Sequence, residues 1–353
     1  MSHVTRFFLG ANSRHGFASL YDTFPDDDKD FLYIIKGGPG CGKSSFMRRI
    51  GAAAEERGFP VEYIHCSGDP DSLDAVYLPV QHMAYADGTA PHVLDAAYPA
   101  VSSLYLDLGH FYDRQSLLPL RETILDLNSR YREHYRRAYA CLSAAANVSA
   151  KGIPALWGKT EQEKLRRKAE GFASREFCRG DGGRVQKRFL RAISCQGERF
   201  FRETAETLCG RICTLDNELG LAGVYLSFLA ELAAERGIDA ILCPDPLDPE
   251  VLDAILLPSL SLGFLAVDRE HPYDGPVYRH YRLDRLASHD IVTAARAEIR
   301  RTQNLQSELI RSGIDSLGKA KALHDELEAA YNPHVDFKGV YQLAEDHIQA
   351  LFG

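Results

Sequence analysis

Residues 30–44 read Asp30-Phe31-Leu32-Tyr33-Ile34-Ile35-Lys36-Gly37-Gly38-Pro39-Gly40-Cys41-Gly42-Lys43-Ser44. The first part of this stretch is short, β-branched and aromatic, which predicts a buried strand over residues 30–36. The second part matches the pattern G-x-x-x-x-G-K-[ST], and residues 45–57 after it predict a helix that ends at Gly58. Strand, glycine-rich loop and helix thus follow one another in the order that a P-loop requires.

Each residue type in this loop has a chemical reason to bind a nucleoside triphosphate. The glycines let successive main-chain N–H groups turn toward phosphate oxygens, and the helix N-terminus adds a favourable dipole. Lys43 is expected to contact the β- and γ-phosphates as a catalytic residue, and Ser44 is expected to bind Mg²⁺. The predicted cofactors are ATP and Mg²⁺, and the predicted nucleotide-binding residues are Gly37, Gly38, Pro39, Gly40, Cys41, Gly42, Lys43, Ser44 and Ser45.

The chain also repeats itself. Residues 44–79 align without gaps onto residues 223–258 and share several short identical runs, such as Glu-Arg-Gly and Leu-Asp-Ala. Each copy continues into an apolar stripe at helical spacing. The sequence therefore predicts an α/β fold of two tandem P-loop NTPase-like units, each a parallel sheet flanked by helices with a helical appendage. The predicted domains are residues 1–180 and 181–353, joined at the glycine-rich segment 179–183.

The alignment predicts that the second loop is degenerate. Asp216–Gly223 fall opposite the P-loop, so that Ala222 stands in the place of Lys43 and Gly223 in the place of Ser44. A carboxylate at Asp216 would repel phosphate, and no lysine compensates for it. Features kept in both copies are then expected to be structural. They include Asp69-Pro70, which is expected to open a short helix with its proline in the first turn.

Further candidate residues follow the P-loop in the sequence. Asp87 ends a mostly apolar run, as a Walker B carboxylate does, and is the second predicted Mg²⁺ ligand and a predicted catalytic residue. Its counterpart Asp268 survives in the degenerate copy, so a turn-capping role for Asp87 stays open. Asp74 and His92 are the candidate general bases. His65, Cys66, Ser67, Gly68 and Thr89 are expected near the carboxyl ends of strands, where ligands bind in parallel α/β sheets.

Composition excludes several classes of function. The chain has 353 residues and a net charge of −8, which argues against a dedicated nucleic-acid-binding protein. No stretch approaches the roughly 20 apolar residues that a membrane-spanning helix needs. The eight cysteines have no zinc-ligand spacing. These features predict a cytoplasmic protein that has no contact with a membrane.

The P-loop, residues 64–74, residues 87–92, the duplication and the closing segment Tyr331–Phe337 together resemble a known group of proteins. They are similar to a poorly characterised bacterial family of duplicated P-loop proteins, described as predicted ATPases or nucleotide-kinase-like proteins. The resemblance covers essentially the whole chain, but it implies roles only for the Walker A residues. Family members can carry a recognisable P-loop in the second half, and this chain departs from them there.

Two functions follow from this reasoning. The first is hydrolysis of ATP, or transfer of its γ-phosphoryl group to an unidentified acceptor, at one site in the N-terminal half. The alternative is a nucleotide-dependent switch or scaffold that acts on a protein partner with little turnover. The absence of an [NT]-K-x-D motif favours ATP over GTP, and the absence of an L-S-G-G-Q-like segment argues against a transporter-type ATPase.

Overall fold

The computed structural model describes residues 4–25, 27–90, 94–149, 156–180 and 182–353. Over these residues the protein is an α/β structure with two six-stranded sheets, each flanked by helices. The two sheets define a first and a second unit, and each unit also has a small two-stranded hairpin.

The sheet of the first unit is mostly parallel and has the strand order β1-β5-β6-β7-β4-β8. Only β6 runs antiparallel to its neighbours among the described strands. The elements of this unit are β1 Val4–Phe8, β2 Gly10–Ser13, β3 Gly16–Ser19, β4 Phe31–Lys36, α1 Lys43–Glu56, β5 Val61–His65, β6 Leu73–Leu78, β7 Met83–Asp87, β8 Ser103–Asp107, α2 Arg114–Leu117 and α3 Arg121–Asn147.

Strand β6 corrects two expectations from the sequence: the sheet is mixed rather than parallel, and Asp69-Pro70 does not open a helix. Asp69 begins a turn that the Ser72 N–H closes by donating to the Asp69 carbonyl (2.9 Å). Proline favours the second position of such a turn as well as the first turn of a helix. The turn prevails because Leu73–Leu78 is buried throughout, and a strand between β5 and β7 satisfies its backbone.

The sheet of the second unit has the order β9-β13-β14-β15-β12-β16, which matches the first sheet strand for strand. Here β14 is the antiparallel strand. The two-unit arrangement predicted from the repeat is consistent with this topology. The elements are β9 Val185–Lys187, β10 Arg191–Ser194, β11 Gly197–Phe200, α5 Arg202–Leu208, β12 Arg211–Asp216, α6 Leu221–Glu235, β13 Ala240–Pro244, β14 Leu252–Leu257, β15 Leu262–Val267, β16 Arg279–Tyr281 and α7 His289–Tyr331.

The hairpins join the two units. Phe8 and Phe189 form an antiparallel bridge, and their rings share an apolar cluster with Phe201. The side-chain nitrogen of buried Asn12 donates to the carbonyls of Ser67 (3.1 Å) and Ile193 (2.8 Å), one in each unit. Polar contacts of this kind, with both partners buried, hold the two units in one fixed relation.

The long helices α3 and α7 pack against each other in antiparallel directions. Leu127 lies against Leu323 and Leu327 near one end, while Leu142 lies against Leu317 farther along. Leucines of the apolar stripes noted in the sequence thus form the packing surface between these two helices.

The two remaining helices are exchanged between the units. Helix α4, Lys159–Glu176, precedes the second unit in sequence and packs its Phe172 into the core of that unit. The C-terminal helix α8, Phe337–Phe352, returns to the first unit, where Val340 and Ile348 share a core with Phe46 of α1. Core residues of the first unit therefore come in part from the C-terminal helix of the chain. The domain boundary at 180/181 stays a prediction.

None of the described helices is both long enough and apolar enough to span a membrane.

Candidate functional site

The candidate site lies at the carboxyl edge of the first sheet. Strands β1, β4, β5, β7 and β8 are parallel, so their carboxyl ends meet at one edge. Strand β4 runs into the glycine-rich loop, residues 37–42, and Asp87 ends the adjacent strand β7, opposite Ile35. Ligands of open α/β sheets bind at this edge.

The glycine-rich loop has a backbone that only glycine adopts readily. Gly40 (φ 68°) and Gly42 (φ 90°) both lie in the left-handed region. Gly42 is the N-cap of α1 and provides no side-chain acceptor. Among the described residues we find no hydrogen-bond acceptor for the main-chain N–H groups of Gly40, Gly42 and Ser44. Free N–H groups at a helix N-terminus form a site that suits an anion.

Lys43, the first residue of α1, folds back over the loop. Its Nζ donates to the carbonyls of Gly37 and Gly38, both at 2.9 Å, and lies 3.6 Å from Oδ2 of Asp87. The Lys43 and Asp87 side chains are 14% and 13% exposed. The ammonium is thus held beside the N–H groups, at the position from which it can reach a phosphate oxygen.

Asp87 has one oxygen fixed by a turn and one facing the cation. Its Oδ1 accepts hydrogen bonds from the Thr89 N–H (2.8 Å) and hydroxyl (2.6 Å), so the turn-capping role is observed. Burial raises the pKa of this carboxyl group, while Lys43 acts in the opposite direction. Oδ2 faces Lys43 and is the oxygen that a metal ion would use.

The Ser44 hydroxyl is the second candidate metal ligand. Its Oγ accepts a hydrogen bond from the Leu73 N–H at 3.0 Å, which fixes its position and leaves a second lone pair. Hydroxyl and carboxylate oxygens are the hard ligands that Mg²⁺ prefers. The residues therefore fit the ion that the sequence predicted.

The other predicted residues are less favourably placed. Asp74, at the start of β6, is buried, and its charge adds to the effect of burial in raising the phenol pKa of Tyr21. Its counterpart Asp253 is also buried and pairs with Arg191 at 3.2 Å. The shared burial favours a structural role for both. The candidate base His92, with Pro91, lies outside the described residues.

His65, Cys66, Ser67 and Gly68 lie at the carboxyl end of β5, as expected. The Nδ1 of His65 lies 2.6 Å from the Pro70 carbonyl, and its ring packs on Phe201 at 4.7 Å between centroids. Burial lowers the pKa of His65. These contacts are typical of a neutral imidazole that is part of the packing.

Residues from distant parts of the chain complete the surroundings of the loop. The Tyr112 hydroxyl donates to the Pro39 carbonyl at 2.7 Å. Asn332, just after α7, lies against Gly40, and its amide nitrogen, when oriented toward the loop, donates to the Gly40 carbonyl at 2.9 Å. Phe337 and Val340 of α8 lie beside Gly42. Sequence reasoning missed these contacts, although Tyr331–Phe337 stood out as a distinctive segment.

The corresponding loop of the second unit differs more than the ungapped alignment predicted. Asp216 is the last residue of β12 and so corresponds to Lys36, and the loop 217–220 is shorter than residues 37–42. Gly220 (φ 79°) caps α6 as Gly42 caps α1, which places Leu221 opposite Lys43. The pairing of Lys43 with Ala222 was therefore wrong by one residue, because α6 has 15 residues and α1 has 14. Leu221 is buried and provides no cation.

A carboxylate from another turn of the same unit binds the second loop. Asp284 accepts hydrogen bonds from the N–H groups of Glu218 (2.9 Å) and Leu219 (3.3 Å). It is the second residue of the 3₁₀ turn Leu283–Leu286, which follows β16 as the turn Leu108–Phe111 follows β8. The equivalent residue of the first unit is Gly109. An internal anion thus binds the second loop, while a glycine occupies its place beside the first.

A charged face of α7 borders the site near the end of β5. His324, Asp325 and Glu328 have potential ligand atoms within 4.8 Å of one another. Asp325 already pairs with Lys321, which also lies 3.3 Å from Asp69. Since the lysine neutralises this group, the cluster does not by itself indicate a metal site.

The glycine-rich loop, the start of α1 and Asp87 together offer N–H donors without an acceptor among the described residues, the Lys43 ammonium and two hard oxygen ligands. Such a set can bind a polyanion together with a divalent cation. No protein-family model, curated protein or solved structure matches the chain, so its function has to be argued from its own residues.

Proposed function

We propose that this chain is a single-site P-loop protein that binds Mg-ATP at residues 37–44 and hydrolyses it, or transfers its γ-phosphoryl group to an acceptor. The observation that carries the proposal is the contrast between the two loops. The second loop donates its N–H groups to Asp284, whereas the first has free N–H groups, Lys43 and the small residue Gly109. Because the second loop binds a carboxylate of the protein, the similar first loop is suited to bind the anion of a ligand.

Each residue of the first loop has a task in this proposal. The N–H groups of Gly40, Gly42 and Ser44 donate to phosphate oxygens, and Lys43 exchanges the carbonyls of Gly37 and Gly38 for the phosphates. Ser44 and Asp87 hold Mg²⁺, which supplies positive charge to the phosphate oxygens when bound. Thr89 keeps the Asp87 carboxylate oriented, since it bonds the other oxygen.

ATP is proposed over GTP on the sequence alone, because the chain has no [NT]-K-x-D motif. Membership of the duplicated P-loop family is likewise a proposal, based on the motifs rather than on a matched relative.

The reaction is tested by measuring phosphate release from Mg-ATP with and without a panel of nucleoside and metabolite acceptors. The proposal expects turnover that disappears in Lys43→Ala, and an acceptor that accelerates ATP consumption identifies a phosphotransferase. ATP consumption that persists unchanged in Lys43→Ala would argue against this site.

A second function, the nucleotide-dependent switch, is favoured by the packing of the C-terminal half on the loop. Gly40 lies against Asn332, and Gly42 lies against Phe337 and Val340. Phosphate binding at the glycine-rich loop is therefore expected to alter the packing of α7 and α8 on the loop. Slow turnover that no acceptor accelerates, together with ATP-dependent hydrogen exchange in residues 331–340, would favour this function over catalysis.

A further inference from the structure

A groove of about 500 Å³ opens beside the glycine-rich loop, between the turn after β8, the start of α3 and the end of α7. Two tyrosines, Tyr112 and Tyr331, form one wall with ring centroids 5.3 Å apart. Leu118 and Leu125 form the outer part, and Arg114 and Arg121 add two guanidinium groups.

The groove and the loop share a wall. The ring of Tyr112 lines the groove while its hydroxyl donates to Pro39 in the loop at 2.7 Å. Tyr331 lines the groove, and the next residue, Asn332, contacts Gly40. A molecule bound to the N–H groups of the loop could therefore extend directly into the groove.

The lining of the groove suits a flat heterocycle attached to an anion. Leu118 and Leu125 are 57% and 55% exposed, so their apolar side chains are accessible to a ligand in the groove. Aromatic and apolar walls with a few polar groups are typical of small-molecule sites. Guanidinium groups stack on π-systems and also pair with phosphates, so Arg114 and Arg121 complement a nucleotide in both respects.

We infer that this groove binds the base and ribose of the nucleotide whose phosphates bind the glycine-rich loop. The inference rests on the proposed function, because the groove is assigned through its continuity with the phosphate site. It goes further by assigning nucleoside recognition to residues 112–125, which belong to no motif noted in the sequence, and to Tyr331.

The test compares ATP with inorganic tripolyphosphate, which has the phosphates but no nucleoside. The double variant Leu118→Asn/Leu125→Asn removes apolar contacts without changing charge, so its electrostatic effect on phosphates is small. We expect its Kd for Mg-ATP to rise about tenfold, since the two leucines lose apolar contact with the base and that contact buries only part of each side chain. Its Kd for magnesium tripolyphosphate should change by less than about twofold on the same reasoning.

Leu305→Asn is the matched control, because Leu305 is also exposed (43%) but lies elsewhere on α7. Photolabelling of the wild-type protein with 8-azido-ATP is a second measurement that needs no variant. The inference expects label on residues 109–125 or on Tyr331.

The experiments distinguish a wrong assignment of the groove from a wrong proposed function. If the double variant binds ATP like the wild type, or loses ATP and tripolyphosphate equally, or if the label falls elsewhere, the groove assignment is wrong and the proposed function stands. The groove would then remain for an acceptor or a partner segment. If Lys43→Ala binds tripolyphosphate as tightly as the wild type, the proposed function fails. If the wild type does not bind ATP, both are overturned.

Discussion

The two oxygens of the Asp87 carboxylate have different neighbours. The Oδ1 atom takes both hydrogen bonds from Thr89, which fixes the plane of the carboxylate. The Oδ2 atom lies 3.6 Å from Lys43, within a partly desolvated site where charge interactions are stronger than in water. Replacing Asp87 by asparagine would keep an acceptor for Thr89 and remove the negative charge.

We therefore predict that Asp87→Asn reduces the difference between ATP affinity in Mg²⁺ and in EDTA by about tenfold, which corresponds to about 1.4 kcal/mol. Equilibrium titration under both conditions measures this difference. Asp268→Asn is the control, since Asp268 is a carboxylate that directly follows β15, the strand of the second unit that corresponds to β7. An unchanged dependence on Mg²⁺ in Asp87→Asn would exclude Asp87 as a ligand of the metal.

For single residues, the sequence predicts positions that are set by a short motif. Lys43, Ser44 and the left-handed glycines are readable because their spacing along the chain sets their geometry. Tyr112 and Asn332 contact the same loop but are far away in sequence, so only tertiary packing reveals them. The role of Asp74 was ambiguous because the acidic residues around it in the sequence indicate catalysis. Its burial, which favours a structural role, cannot be predicted from the sequence alone.

At the scale of elements, the 3₁₀ turns after β8 and β16 distinguish the two units. Asp284 at the second turn satisfies two N–H groups of the adjacent loop. Gly109 occupies the equivalent position in the first turn and has a backbone that other residues can adopt, since its φ is not positive. A carboxylate introduced there would imitate Asp284.

This comparison predicts that Gly109→Asp binds Mg-ATP about tenfold more weakly than Gly109→Asn, because a carboxylate beside the N–H groups competes with phosphate and adds repulsion. The asparagine variant matches the aspartate in size and controls for steric effects. Equal affinities of the two variants in a calorimetric titration would contradict the equivalence of Gly109 and Asp284.

The buried carboxyl of Asp284 predicts a pH dependence of stability. Burial raises its pKa from 3.8 to about 6, against the effect of its two N–H donors. The folded state then retains a proton that the unfolded state releases, so the unfolding free energy should fall as pH rises from about 4 to about 6, by on the order of 3 kcal/mol. Above this range the effect is constant.

Asp284→Asn should lack this decrease, since an amide accepts the same N–H bonds and does not titrate. Urea unfolding at several pH values measures the difference, with the fully exposed Asp290→Asn as the control. Parallel pH curves for Asp284→Asn and wild type would show that this carboxyl does not titrate in the expected range.

Strands and helices could be predicted where the local sequence pattern is typical of only one type of secondary structure. The buried run before the loop and the capped, periodic segment after it gave β4 and α1 within a few residues. Strand β6 was missed because Asp-Pro starts helices and turns alike. The decision between them comes from the sheet, in which β6 fills the space between β5 and β7.

At the scale of the whole molecule, exchanged helices connect the two units. Phe172 of α4 packs on Phe264 in the second sheet, with ring centroids 5.2 Å apart. In the first unit, Val340 of α8 is fully buried with Phe46. The repeat predicted two similar units, but an amphipathic helix does not encode in its own sequence which unit it covers.

We predict that a fragment of residues 1–180 does not bind Mg-ATP by itself, because it lacks α8 and exposes part of its core. Co-expression with residues 181–353 should restore binding if the two fragments assemble. Pull-down followed by ATP titration measures both. A fragment 1–180 that binds ATP as tightly as the full chain would show that the exchanged helix is dispensable.

We propose that the first loop, and not the second, binds a triphosphate through Lys43. Isothermal titration of Mg-ATP into the wild type and Lys43→Ala tests it most directly, with the exposed Lys187→Ala on β9 as the control. We predict one site per chain in the wild type and in Lys187→Ala, and a loss of affinity of at least about a hundredfold in Lys43→Ala, or about 2.7 kcal/mol. Undiminished ATP affinity in Lys43→Ala, or two sites per chain in the wild type, would contradict the account.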